Sequence, residues 1–442
     1  MAKKAPVTEQ GILDDVVSYL AEDRQIVYED VNFWVYRYGA FWLLPEADFR
    51  RAVMSRFPTL PFTVIRSVVE RARTQLTPSM GARFFTPKPV VVFTDCTIEV
   101  SAEGLRARSH SPEDRARFRF TFPCPFEIPT EFGPVPPEKL VWREGAETGP
   151  EGGYAQLLAT LGEGNAAFEE FGGAVVLGLA TKFKKALYLV GPKDAGKSQI
   201  GIFLRTLLSP PALDANRWIA CVPPADMADK FRPADLASAI LNLVDDKDRD
   251  VILTGAAKTA IAGGEFTASR KWGHPFTFRP RAGWLIIANE PPRTDDPALQ
   301  ERFLVVECKA TYDKPVHDFG ELVAITEARH AAGRLLMGAV RLLRDGYTVT
   351  ESMHEAAEDA RIQSDANAMY LQETSEPALA AGLTLEELYS RYQLWAPLNG
   401  FSVCNKATFR QRLNALGHIA KKTHDGIRRY SLRFKKSLTP GN

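Results

Sequence analysis

Hydrophobic and polar positions alternate with different periods along this chain. Between residues 11 and 75 the spacing predicts short helices around one aromatic stretch. Phe33–Leu44 alternates, with Gly39 near its middle, which predicts a hairpin and then a helix from Glu46. "PVVVFTDCTIEVSAEGLRARSH" predicts two strands joined near Gly104, and the Pro-rich "FPCPFEIPTEFGPVPPEKL" marks a boundary or packed linker. Helical spacing runs from Tyr154 to Thr181. From Lys185 to Glu307 the pattern becomes short buried strands alternating with helices: "ALYLV", "LNLVDD" (with a further candidate, "RWIACV", before it), "GWLIIAN" and "FLVVE". That is the α/β pattern of a mainly parallel sheet. After Asp318 the chain is strongly helical, and its last stretch forms a separate small unit.

Composition narrows the class. The 442 residues allow about two to four domains. Hydrophobic residues at 45% and charged residues at 25% are enough for sizeable cores. The net charge of +1 carries no nucleic-acid signal, so any basic surface is local. Five scattered cysteines (Cys96, Cys124, Cys221, Cys308, Cys404) argue against a disulfide framework or zinc site and fit a reducing cytosol. The basic start lacks a following apolar run, and no long apolar window occurs; neither a signal peptide nor a membrane span is expected, and the expected location is cytoplasmic.

The candidate chemistry centres on "LYLVGPKDAGKSQI", where Gly191, Gly196, Lys197 and Ser198 fit G-x-x-x-x-G-K-S/T. Glycines let backbone N–H groups converge on phosphates, the lysine reaches the β/γ-phosphates, and the serine ligates magnesium at a helix N-terminus. Residues Gly191, Pro192, Lys193, Asp194, Ala195, Gly196, Lys197, Ser198 and Gln199 are therefore the candidate ATP-binding set. The strand before and helix after are the context this motif requires. In "LNLVDD", Asp245 is the candidate for magnesium, together with Ser198, and Asp246 for orienting the attacking water. Both could instead form a solvated acidic turn. Asn289 ends a buried strand, where ligands bind in open α/β sheets; it reads as a γ-phosphate sensor or a turn residue. Arg302 opens the next strand and reads as an arginine finger toward a neighbouring subunit or as a surface ion-pair partner.

The end of the chain has its own logic. Thr384 with Glu387 makes a capping box, Asn399-Gly400 a turn, and Thr408–Leu416 a second helix ended by Gly417. Two strands flank Asp425-Gly426, a strong hairpin signal. Helix, helix and hairpin describe a winged helix. Ten Lys/Arg against one acid lie between Cys404 and Lys436. Arg410 and Arg412 on the second helix and Arg428 and Arg429 on the wing are DNA-contact candidates; a protein-contact role is the alternative.

With these residues in place, the chain resembles the superfamily 3 helicases, in particular the helicase part of primase–helicases of phages, plasmids and poxvirus-like viruses. The shared order is "GPKDAGKS", "LNLVDD", "KTAIAGGEFTASRKWGHPFTFRPRAGW", "LIIAN" and the arginine of "ERF". The resemblance implies a lysine, a Gly-Gly turn and a basic DNA-gripping channel hairpin. Lys258, Gly263, Gly264 and Glu265 match that pattern, with Arg270, Lys271 and His274 on the hairpin. By composition alone, a surface hairpin with inward aromatics would be preferred.

The resemblance covers about residues 25–437. It departs at Ala195, where the family has asparagine; at Asp246, where it has glutamate; and in having no primase domain. The expected fold is α/β, a P-loop AAA+ type ATPase core with a mixed α+β N-terminal domain and a C-terminal winged helix. Expected domains are 1–115 (accessory), 116–180 (linker and helical collar), 181–318 (ATPase core), 319–380 (helical lid) and 381–437 (winged helix). The expected function is an ATP- and Mg²⁺-dependent, ring-forming replicative helicase of a phage or mobile element. It would act on single-stranded and forked DNA as a hexamer moving 3′ to 5′, beside a separate primase or single-strand binding protein. An origin-binding initiator that uses ATP as an assembly switch is the alternative. A small-molecule P-loop kinase explains neither basic element.

Overall fold

The computed structural model describes residues 8–21, 25–78, 84–85, 88–129, 133–209, 218–246, 255–270, 274–292, 297–309, 317–364, 366–378, 382–398 and 403–435. Two compact units divide it, one of residues 1–290 with 301–354, the other of 291–300 with 355–442.

The first unit begins with α1 (Glu9–Leu20), whose Ile12, Leu13, Val16, Val17 and Leu20 form one buried face. An antiparallel sheet follows: β1 (Ile26–Glu29), β2 (Asn32–Arg37) and β3 (Ala40–Leu44). The expected hairpin is β2–β3, turning at Tyr38-Gly39. Strand β1 is an addition. It joins β2 through Asp30-Val31, both at positive φ (51° and 56°). A β-branched residue rarely takes that conformation, so no turn signal marks it in the sequence. Helices α2 (Glu46–Arg56) and α3 (Phe62–Gln75) close a core with Phe33, Phe49, Val53 and Val68.

A second antiparallel sheet has three strands, not two: β4 (Val90–Val92), β5 (Thr97–Val100) and β6 (Leu105–Arg108). The extra reversal is a tight turn in which Phe93 N–H donates to Cys96 O at 2.9 Å. The Pro-rich stretch holds the short pair β7 (Phe126–Glu127) and β8 (Val141–Trp142). Helices α4 (Gly153–Leu158), α5 (Asn165–Val176) and α6 (Ala180–Phe183) follow, with 3-10 turns from Ala159 broken at Gly162.

Next come β9 (Ala186–Val190), α7 (Lys197–Leu208), β10 (Ile219–Ala220), β11 (Leu241–Asp246), α8 (Gly255–Ile261), β12 (Phe266–Ala268), β13 (Phe276–Phe278), β14 (Gly283–Ala288), α9 (Pro297–Gln300, within the second unit) and β15 (Phe303–Glu307). Five of these strands form the expected parallel sheet, in the order β10-β11-β14-β9-β15. Strand β14 is buried along its whole length, as a central parallel strand must be. Helices α10 (Phe319–Thr326) and α11 (Ala328–Asp345) complete the packing. Helix α11 lies so close to α5 that a Cβ on Gly338 would fall 2.5 Å from the Glu169 carbonyl. The main core runs unbroken from the second antiparallel sheet through α5 and the parallel sheet to α7 and α11.

Helix α12 (Glu351–Ser364) leads into the second unit. There α13 (Ala366–Thr374), α14 (Leu385–Leu398) and α15 (Lys406–Ala415) enclose Tyr370, Tyr392, Phe409 and Leu413. Strands β16 (Ser375–Pro377) and β20 (Leu432–Phe434) pair, and β17 (Leu383–Thr384), β19 (Arg428–Tyr430) and β18 (Lys421–Lys422) form a three-stranded sheet. The capping box is present: Glu387 N–H donates to Thr384 Oγ1 at 3.2 Å, and Thr384 N–H to Glu387 Oε2 at 2.7 Å. Gly417 ends α15 at a φ of 84°, and Gly426 turns the hairpin at 80°. The expected Asn399-Gly400 turn lies outside the described residues.

Candidate functional site

Strand order places the site. The chain leaves β9 toward β11 and β10, but leaves β14 the other way, across β9 to β15. Neighbouring strands whose connections run in opposite directions leave a crevice at their carboxyl ends, where open α/β sheets bind ligands. Both candidate segments open there: Gly191 follows β9, and Asn289 follows β14.

The loop from 191 to 196 is shaped by its backbone. Gly191 has a φ of 151°, and a Cβ there would meet the Cys308 carbonyl oxygen at 2.2 Å, so only glycine fits. Asp194 and Gly196 are left-handed, at 63° and 79°. Gly196 is the N-cap of α7, so the helix's unpaired N–H groups open onto the loop. Pro192, Lys193 and Asp194 are exposed, whereas Ala195 is buried in the main core. That burial accounts for a small apolar residue at this position.

Lys197 is 4% exposed. Its Nζ donates to Gly191 O at 2.7 Å, to Pro192 O at 2.6 Å and to Asn289 Oδ1 at 3.2 Å. The ammonium therefore lies inside the loop and bridges the two sides of the crevice. Beside it, burial pushes the Cys308 thiol up to about 12, with Lys197 pulling the other way.

Asp245 pairs in register with Ile287 of β14, and Asp246 with Ala288, itself level with Val190. Asp246, Asn289 and Gly191 thus reach the same edge of the sheet, with β14 between β11 and β9. The Asp246 side chain lies outside the described residues. Asp245 is exposed and shares with Ser198 a cavity of about 410 Å³. The sequence reading missed two residues of this cavity, Arg205 and Cys221. Arg205 was legible: Ser198, Gly201, Ile202 and Arg205 follow the spacing of one helix face. Gln199 serves the framework, its Oε1 accepting from Gly320 N–H at 2.8 Å.

Arg302 is elsewhere. It sits level with Lys185, at the amino ends of the strands, six residues before the level of Gly191. At about 3.3 Å per residue this is about 20 Å from the loop. Its Nη1 donates to Lys184 O at 3.4 Å.

The remaining basic candidates form two groups. Helix α8 carries Lys258 and ends at Gly263-Gly264. Gly264 N–H donates to Thr259 O and Gly263 N–H to Ala260 O, which closes the helix end. The hairpin β12–β13 follows. Arg270 and His274 are exposed near its tip; Lys271 lies outside the described residues. Arg270 lies 5.8 Å over the Phe276 ring and donates to Asn32 Oδ1 at 3.3 Å. Phe276 itself rests 5.5 Å from Phe278, so its ring is partly engaged within the hairpin. In the second unit, Arg410 and Arg428 are exposed and Arg412 is half-buried. Arg429 pairs with Asp425 at 2.8 Å, and hydrogen bonds from Thr423 and Arg429 hold that carboxyl far below its ordinary range.

Comparison with known proteins adds weak likenesses. No protein-family model matches the chain, and no curated protein matches it. Among solved structures, an apo form of the C-terminal region of NrS-1 is 13% identical, covering 92% of this chain and 96% of that one at a TM-score of 0.45. A second, residues 305–718 of the same region, is 12% identical over 96% of this chain and 100% of that one, at 0.48. Likeness at this level carries no argument about activity. Among the described residues, no helix is long and apolar enough to cross a membrane.

Proposed function

We propose that the chain is an ATP-driven DNA motor, a ring-forming replicative helicase of a mobile element. The observation that carries this reading is the Lys197 bridge. One ammonium joins the glycine loop to Asn289, while Ser198 and Asp245 line one cavity beside it. A triphosphate fits the loop's chemistry: helix N–H groups at the open end, left-handed turns at Asp194 and Gly196, and a lysine now held by two carbonyls that an anion would replace. A hydroxyl and a carboxylate are the donor set that magnesium takes in such sites, where the ion neutralises charge on the phosphates. Lys197 would hold the β/γ-phosphates, Asn289 would sense the γ-phosphate through Lys197, and Asp246 would orient the attacking water.

In this reading the loop is a P-loop and the core a AAA+ type ATPase. The position of Arg302, about 20 Å from its own loop, suits a group that completes a neighbour's site in a hexameric ring. The hairpin carrying Arg270, Lys271 and His274 would grip the strand, and Lys258 would support it. The test is DNA-stimulated ATP hydrolysis and strand displacement. Lys197→Ala should lower both by two orders of magnitude or more; an unchanged rate overturns the reading.

A second reading rests on the other unit. Its helices and three-stranded sheet suit a winged helix, with exposed Arg410 and Arg428 on helix and wing. This supports an origin-binding initiator in which ATP controls assembly. Footprinting on the host element's DNA separates the two: one protected site at moderate salt favours the initiator, and uniform protection with a steep salt slope favours the motor alone.

A further inference from the structure

The segment "DRARFRFTF" (residues 114–122) has a feature that the ATP site does not use. It runs beside β3 and β4, with Phe41 N–H donating to Ala116 O at 2.7 Å and Phe120 N–H to Val92 O at 2.8 Å. Phe118 and Phe120 are buried in the core. Arg115, Arg117 and Arg119 occupy the alternate positions. The Arg115 guanidinium lies 4.6 Å over Phe84 and donates to Phe84 O at 2.8 Å. That of Arg117 lies 4.0 Å over Trp34 and 5.2 Å over Phe85, and donates to Ala237 O at 3.4 Å. Arg119 lies 5.6 Å over Tyr38.

Arg115 and Arg117 have no carboxylate within ion-pair distance among the described residues. They line a cavity of about 50 Å³ with Lys88 and Arg281. Asp114 also borders it, but its carboxylate is engaged by Arg108 at 2.9 Å. Glu29, the nearby acid, accepts the Phe84 and Phe85 N–H groups at 2.7 and 3.3 Å. Burial and the adjacent Arg281 pull Arg117 down to about 9, against a weaker opposing pull from Asp30 and Glu29. Among the described residues this guanidinium is held by rings and a carbonyl, with no carboxylate at ion-pair distance to offset its burial. At about 10–15 Å³ per water, the cavity has the room of a few waters, the size of one phosphate group.

The strip continues into a second cavity, of about 380 Å³, lined by Arg37, Tyr38, Trp42 and Arg119. Tyr38 is 63% exposed. Arg115 opens the strip in a left-handed turn, at a φ of 50°, and from there residues two apart along an extended backbone rise about 6.6 Å. That matches the phosphate-to-phosphate step of an extended single strand, and exposed aromatics beside such a strip serve as stacking surfaces for bases.

We propose that Arg115, Arg117 and Arg119, with Lys88, Arg281, Tyr38 and Trp42, form a binding track for single-stranded DNA, separate from the channel hairpin and the C-terminal unit. This rests on the reading of the chain as a DNA-acting protein. One phosphate enters the Arg115–Arg117 cavity, and the next lies by Arg119, with a base on Tyr38.

The test uses the full chain and a fluorescent oligothymidylate, titrated over a range of salt. Arg115→Gln with Arg117→Met should weaken binding about tenfold or more. It should also reduce the slope of log K against log salt by about 0.7, the share of the one phosphate seated in that cavity. An unchanged slope in a variant that melts like wild type overturns the track. Photocrosslinking of the wild-type chain to a bromodeoxyuridine strand avoids any folding defect: adducts at Tyr38 or Trp42 are expected, and adducts only at the hairpin or C-terminal unit overturn it. Complete competition by millimolar inorganic phosphate also overturns it, as a free-anion site. The motor reading fails separately, through Lys197→Ala, whose DNA slope should match that of wild type.

Discussion

Two arginine clusters in the first unit invite comparison. Arg334 and Arg341, on α11, face Glu169 and Glu170, on α5. Arg334 Nε donates to Glu169 Oε1 at 2.7 Å, and Arg341 Nη2 to Glu169 Oε2 at 2.8 Å. Thr348 N–H donates to Glu170 Oε2 at 2.7 Å. Burial pulls Arg341 down, but the two carboxylates more than offset this and hold it above its ordinary value. Arg115 and Arg117 lie against rings and carbonyls, and Arg117 is held below its ordinary value. Two cations meeting two anions are a framework joint. Cations with no acid at ion-pair distance among the described residues are, in the track proposed above, a place for an anion. What distinguishes them is the company each guanidinium keeps, which burial alone does not reveal.

The comparison breaks most sharply at Glu169, which is 1% exposed. Glu169→Ala should destabilise the protein by about 3–5 kcal/mol in urea titrations, because it leaves two guanidinium groups facing a vacated buried site. Gly338→Ala, at the same helix contact, should cost about 1–3 kcal/mol as α5 and α11 are forced apart. His330 sharpens the framework side. It stacks 4.9 Å from Trp142, and its Nδ1 accepts from Thr148 N–H at 3.2 Å. Burial, with Arg334 nearby, holds its pKa below the ordinary 6.5. The unfolded chain then binds the proton more readily, so stability is full above pH 6.5 and falls as pH drops toward the folded value. Thermal melts should show this decline, and His330→Phe should flatten it. The smallest effect belongs to the other cluster: Arg117→Met should leave the urea midpoint unchanged or slightly raised, while weakening DNA binding. A large loss of stability there would make it a second framework joint and erase the contrast.

Legibility varied for reasons the residues show. The β2–β3 hairpin was readable because Gly39 marks its turn, and the Thr384–Glu387 cap because two side chains three positions apart in one segment make it. Strand β1 was not, because Asp30-Val31 turns without a turn signal. The parallel strands were readable from their unbroken apolar runs. Lys197, Ser198 and Asp245 could be singled out because a phosphate loop and an acidic strand end each have a local form.

Local sequence determined which segments are strands and helices, where the glycine loop must bend, and which residue types could meet phosphate and metal. Only the tertiary structure decided that β9 and β14 are neighbours whose connections run in opposite directions, so that Lys197 meets Asn289 across the crevice. It alone set Arg302 at the far end of the sheet, gave Arg341 two carboxylates, and left Arg117 with none at ion-pair distance among the described residues. The reason is physical. Backbone preference and periodicity act over a few residues and are written into each segment. The charge around a guanidinium is set by groups tens or hundreds of positions away, and only the packing of the sheets and helices brings them together or keeps them apart.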